Sequence, residues 1–191
     1  MKINLAVNRA NARQLLLNAG IQVSIVDDLE DIGYFKAPAS KGHHLAVPGG
    51  LAMHSMNVAA ELILIAGQIK PHIKVGSLYR IGLLHDIVKC YCYRVAGQDG
   101  LGRPVYEYVQ PPYPGHGTAS AMICSDLGIR LTPEEQAAIV WHMGAFGLSE
   151  KELKEYRASI KRYPEIILLT HAADHIASIK EEKEEEYGNG R

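Results

Sequence analysis

Leu83-Leu84-His85-Asp86-Ile87-Val88-Lys89 closes an apolar helical run, and its reading decides the fold. From Gly76 to about Cys92, Leu78, Ile81, Gly82 and His85 fall on one helical stripe, with Tyr79, Leu83 and Asp86 beside it. On such a helix His85 and Asp86 diverge by about 100° yet flank one point in space. A buried imidazole or carboxylate needs a hydrogen bond or a metal, so an adjacent pair in an apolar run marks a site. Three more of the nine histidines, His54, His142 and His171, also lie in apolar, helix-like stretches.

Working outward, apolar Val58, Leu62 and Ile65 recur at helical spacing in Leu51–Ile69, and His54 shares their inward stripe. Before it lies a loop holding Pro38, Gly42, His43, His44, Pro48, Gly49 and Gly50. Asn8–Asn18 has helical composition and stops at Gly20, a C-cap residue, and Ile25–Tyr34 carries Val26, Leu29 and Ile32 at helical spacing. These two pieces, within residues 1–35, form an N-terminal helical cover. On the other side, Tyr91–Ala96, a GQDGLG turn and Val105–Val109 read as a β-hairpin insertion at about 91–109, ended by Pro111-Pro112. Gly117–Leu127 is the next helix, with His116 at its mouth. Thr132-Pro133-Glu134-Glu135 starts another, with Thr at the N-cap and Pro at N1, and that helix carries His142 near its end. The last helix runs from Glu165 to about Glu186, and its KEEKEEE segment reads as a solvated end. The fold class is therefore all-α, a single domain over 1–191, with a core at 37–178 and a charged tail at 179–191.

A chain of 191 residues without a linker rich in Pro, Gly or Ser fits one domain with a good-sized core. Its net charge of -1 argues against bulk neutralisation of duplex nucleic acid and leaves room for a small or single-stranded anionic substrate. Cys90, Cys92 and Cys124 are odd in number and lack C-x-x-C spacing, so neither a disulfide framework nor a thiolate zinc site is indicated, and a reducing cytoplasm is the expected home. The start, Met1-Lys2-Ile3-Asn4, reads as no leader, and no apolar run is expected to reach the roughly 20 residues of a membrane span.

The candidate ligands are His54, His85, Asp86, His116, His142 and Asp174, each at a different helix apart from the adjacent pair. Imidazole and carboxylate suit one or two divalent ions, Mn, Ni, Mg, Fe or Zn, and the absence of thiolate favours an open catalytic site over a closed structural one. His43 and His44 are placed to form a substrate-binding rim. His171 lies three residues before Asp174 on the same helical side, to touch substrate or to support a ligand from behind. Arg103, with Tyr106, Tyr108 and Tyr113, could meet a phosphate and a base from the hairpin, although tyrosine is also simply a good strand former. His72 and His175 read as structural.

The motif order is specific: G-G-L-x-x-H at Gly49 to His54, L-L-H-D-I-x-K at Leu83 to Lys89, G-H-G at Gly115 to Gly117, W-H at Trp141-His142, and H-x-x-D at His171 to Asp174. This resembles the HD-domain metal-dependent phosphohydrolase superfamily over about Ala37 to Ser178. Within it, P-A-x-x-x-H-H before G-G-L-x-x-H, followed by a hairpin after the HD helix, looks most like the HD domain of YhaM-type 3′–5′ exoribonucleases, without their OB-fold domain.

The resemblance implies a first ion on His54, His85, Asp86 and Asp174, and His116 and His142 as extra ligands of a two-ion site bridged by Asp86. It also implies that Lys89 meets substrate phosphate as a point charge. Val88 replaces the usual glycine of H-D-x-G-K, and Met143 stands where many two-ion members have a second histidine. The expected activity is hydrolysis of a phosphomonoester or phosphodiester of a nucleotide or short single-stranded nucleic acid, with Asp86 and Lys89 as catalytic residues. Two rival readings use the same ligands, an HD-fold di-iron oxygenase and a non-catalytic nucleotide-binding sensor. Partner expectations are a phosphorylated small molecule or short single strand, neither membrane nor duplex DNA; the oligomeric state is left open.

Overall fold

A computed structural model describes residues 3–69 and 72–189; the expectations that fall on Met1, Lys2 and residues 190–191 lie outside the described residues. The described residues form eight α-helices and one two-stranded antiparallel hairpin, the all-α architecture with a β insertion that the sequence implies. In chain order the elements are α1 (Leu5–Asn18), α2 (Val23–Asp31), α3 (Gly50–Ile69), α4 (Val75–Leu84), β1 (Tyr93–Gln98), β2 (Pro104–Tyr108), α5 (His116–Asp126), α6 (Pro133–Val140), α7 (Glu150–Arg162) and α8 (Pro164–Asn189).

Helix α3 is the centre of the bundle, with its apolar stripe of Leu51, Val58, Leu62 and Ala66 against α4 and α8. By length and composition α3 does qualify for a membrane span, which corrects the sequence expectation: Gly50–Ile69 has a mean hydropathy of 1.3. Half of that window is buried within the fold, as befits a core helix. The contact with α4 is close because Gly82 faces Ala59, where a Cβ on Gly82 would lie 2.4 Å from the Ala59 Cα. Missing side-chain volume at that one position lets the two helices bring His54 and His85 together.

Helix α1 packs on α3 and α4, and Arg9 and Arg13 pair with Glu30 and Asp27 of α2. Buried Asn8 donates from Nδ2 to the Gly49 carbonyl at 2.9 Å, fixing the start of α3. Just after α2, fully buried Tyr34 donates its hydroxyl to the Leu83 carbonyl at 2.5 Å, tying the cover to the last turn of α4.

Two expected boundaries are corrected. The helix beginning near Gly76 does not run to Cys92: α4 ends at Leu84, and Ile87–Tyr91 form a 3-10 turn. The break falls at Asp86, whose φ of −112° and ψ of 17° lie in the bridge region, and Ser120 of α5 accepts the Val88 N–H at 3.3 Å. In the hairpin, β1 begins and ends two residues later than the alternation suggests, because Tyr91 belongs to the 3-10 turn and a bulge between Val95 and Gly97 carries the strand on to Gln98, while β2 begins and ends one residue earlier. A helix absent from the expected set, α7, carries Leu153, Tyr156 and Ile160 at helical spacing and is closed by a capping box, Ser149 with Glu152, and by Lys161 and Arg162 in its last turn.

Candidate metal centre

Five elements converge on Asp86. Its Oδ2 lies 3.6 Å from His54 Nε2 on α3, 3.4 Å from His85 Nε2 at the C-cap of α4, and 2.5 Å from Lys89 Nζ in the 3-10 turn. Its Oδ1 lies 2.5 Å from His116 Nε2, the first residue of α5, and 3.4 Å from His142 Nε2, in the turn after α6. Asp174 of α8 closes the first group, with Oδ1 3.1 Å from His54 Nε2 and 3.7 Å from His85 Nε2. All six residues expected as ligands are thus brought together, and the two oxygens of Asp86 face two different sets of imidazoles.

The tautomers are set from outside. His85 donates from Nδ1 to the Gly82 carbonyl at 2.8 Å, and His142 from Nδ1 to the Ile139 carbonyl at 2.7 Å. A carbonyl only accepts, so Nδ1 carries a proton in each ring and Nε2 is the nitrogen that faces the cluster. Both Nε2 atoms are buried and have no hydrogen-bond partner. Unpartnered ring nitrogens, converging carboxylates and the absence of thiolate fit a hard or borderline divalent ion bound by nitrogen and oxygen. Groups able to hold an ion include His54 with His85 and Asp86, His85 with His142 and Asp174, and Asp86 with His116 and His142.

Electrostatics agree with that donor set. Burial works to raise the Asp86 carboxyl, but Lys89, His85 and His116 outweigh it and hold the group well below the usual carboxylate range. Asp174 is likewise held low against its burial by His54 and His85. Burial works to lower His85, yet the Asp86 and Asp174 carboxylates raise it to about 10, so ion binding there releases a proton. At His142 burial wins, and its pKa is lowered.

Close packing brings the second group into register. A Cβ on Gly117 would lie 2.2 Å from the Val140 carbonyl oxygen, so only glycine lets α5 press its first turn, with His116, against the end of α6 and the His142 turn. Gly144, at φ +66°, has a similar role: a Cβ there would meet the His171 ring at 2.9 Å. His171 Nδ1 in turn lies 2.7 Å from the His142 carbonyl oxygen and donates to it, so His171 supports a ligand's backbone, and its ring meets His175 edge to face at 4.6 Å.

The expected rim divides. His44 turns inward, its ring 5.1 Å from that of His54, whereas His43 is exposed and its backbone N–H donates to Ser40 Oγ. Arg103 sits at the hairpin tip, 60 % exposed, where its guanidinium pairs with Asp99 and closes the turn. Arg94 pairs with Glu107 across the hairpin, Tyr113 with Asp126, and Tyr106 is buried. Val88 at the H-D-x-G-K glycine position is fully buried, a packing residue.

The reading along the chain misses Glu181. Placed there in a solvated KEEKEEE end, it is 2 % exposed and lies against His54 Nδ1 at 3.0 Å, which corrects that expectation. The signal available was its position: Glu181 is seven residues after Asp174 on α8, about two turns on and hence on the same face. Tyr34 and Asn57 are likewise visible only once the helices are packed.

The HD domain family model matches residues 51–179. No curated protein and no solved structure matches the chain.

Proposed function

The chain belongs to the HD domain family and is a metal-dependent phosphohydrolase; from that premise we propose that it cleaves a phosphomonoester or phosphodiester of a nucleotide or a short single-stranded nucleic acid. The observation that carries this reading is the split of Asp86, with Oδ2 toward His54 and His85 and Oδ1 toward His116 and His142. One carboxylate between two imidazole sets suits a pair of divalent ions sharing a bridging ligand.

Divalent ions held by His54, His85, Asp86 and Asp174, and by His116 and His142, would supply an acidified water and neutralise charge on the phosphoryl group. The chain's own residues then do the rest. The outer bonds of His85 and His142 keep both rings in the ligating tautomer, so the donors are arranged before substrate arrives. Lys89, whose ammonium lies on Asp86, is a cation within one side chain of the centre and can meet a phosphate oxygen. His116, with a side chain 32 % exposed, stands on the solvent side and is the ligand nearest to an incoming group.

A cleft of about 360 Å³ beside His116 supports a substrate with an organic part as well as a phosphate. Its walls include Trp141, Met143 and Phe146, and the Phe146 side chain is 84 % exposed, an apolar ring free to pack on a base. The finer likeness to YhaM-type exoribonucleases rests on the motif order from Pro38 to His54 and on the hairpin, and it motivates including RNA among the substrates.

The test is hydrolysis by protein loaded in turn with manganese, nickel, magnesium or iron, across nucleoside mono-, di- and cyclic phosphates and short single-stranded RNA and DNA. Turnover that vanishes in Asp86→Ala supports the proposal and names the substrate. Silence across the panel with every metal overturns the nucleotide assignment, and oxygen consumption by iron-loaded protein would favour the oxygenase chemistry in its place.

A further inference from the structure

Helix α8 contributes two carboxylates to the centre, and they play different parts. Asp174 faces the Nε2 side of His54, whereas Glu181, on the same helical face, lies on its Nδ1 side, with Oε2 at 3.0 Å and Oε1 at 3.2 Å. Asn57, three residues after His54 on α3, donates from Nδ2 to Glu181 Oε1 at 2.8 Å, and His44 Nε2 stands 4.0 Å from Oε2. A carboxylate buried to 2 % exposure is costly unless it is paired and hydrogen-bonded, and the strongest partner here is an imidazole whose other nitrogen faces the ligand cluster.

The three buried imidazoles therefore differ in their outer bonds. His85 and His142 lean on backbone carbonyls, while His54 leans on a carboxylate held by an amide. A carboxylate behind a ligating imidazole fixes its tautomer and makes the inward nitrogen a stronger donor. Resting on the metal-centre reading, we infer that Glu181 is a positioning residue that acts through His54 to set the affinity of the first ion site. Nothing in its local sequence marks it, since its neighbours Lys180 and Glu182 are surface charges, the first paired with Glu61.

The experiment is titration of chelator-stripped, full-length protein with Mn²⁺ by calorimetry, comparing wild type with Glu181→Ala, Glu181→Gln and Glu181→Asp. Glu181→Ala is expected to weaken Mn²⁺ binding about 10- to 100-fold. Glu181→Asp recovers part of the affinity, because the carboxylate is kept at a shorter reach. Affinity within twofold of wild type in a folded Glu181→Ala protein overturns the inference. If that variant does not fold, Glu181→Gln carries the measurement, since it preserves volume and removes only the charge; unchanged affinity there is equally fatal. Asp86→Ala, titrated alongside, separates the two levels of argument. Loss of Mn²⁺ in Asp86→Ala with none in Glu181→Ala sinks only the role of Glu181, whereas wild-type binding in both sinks the metal centre itself.

Discussion

His171 donates from its Nδ1 to the carbonyl of His142 at 2.7 Å, so one histidine holds the backbone of another whose own ring faces the metal centre. The contact runs from α8 to the turn after α6, and it explains why a polar ring occupies an apolar helix without joining the ligands.

His171→Ala is expected to lower activity about tenfold while leaving the first ion bound, because it loosens the turn that aims His142. His142→Ala should lose one of two bound ions as well as activity. Metal content by mass spectrometry beside steady-state rates checks both; equal metal loss in the two variants would assign His171 a ligating role.

Asp86→Ala should strip the protein of metal and reduce turnover to background. It should also destabilise the metal-free protein by about 3–5 kcal/mol, since Lys89 loses the carboxylate that its ammonium pairs with at 2.5 Å in a largely buried setting. Chemical denaturation in the presence of chelator measures this, and double substitution with Lys89→Met should restore most of the stability without restoring metal.

Gly82→Ala places a methyl 2.4 Å from the Ala59 Cα, so α3 and α4 must separate. A loss of about 1–3 kcal/mol is expected, together with weaker metal binding, because the same helices carry His54 and His85. Thermal melting with and without Mn²⁺ reads both effects. A Gly76→Ala control on the same helix, where a Cβ meets no atom within 4 Å, should leave metal binding unchanged and raise stability slightly.

Glu135 predicts the acid response of a region outside the centre. Burial works to raise its carboxyl, but Arg80, 2.5 Å away, and the Thr132 N–H lower it. A carboxyl depressed in the folded state contributes stability fully above its unfolded value, near 4.5, and loses it as pH falls through the folded value. Stability of the metal-free protein should therefore decline below about pH 4.5, and Glu135→Gln should flatten that decline at a cost of about 2 kcal/mol near neutral pH.

The sequence makes the ligands legible because their chemistry conflicts with their surroundings: His54, His85 and Asp86 are polar groups in runs whose period demands burial. It makes α6 legible through Thr132 and Pro133, local signals that need no partner. Glu181 is hidden for the opposite reason, since one buried acid among exposed ones has the same letter as its neighbours. The break at Asp86 is hidden because Ile87 and Val88 continue an apolar pattern that a 3-10 turn satisfies as well as a helix. Arg103 looks like a phosphate contact in composition and is a turn residue in space, claimed by Asp99 four positions earlier.

The order of synthesis gives the α8 carboxylates a further consequence. His54 meets Glu181 across 127 positions of chain and Asp174 across 120, so both acids leave the ribosome after every imidazole ligand has emerged. A nascent chain stopped before α8 holds His54 without the acid that closes its first site and without the acid that orients its ring. Completion of the first site thus waits for the last helix to dock.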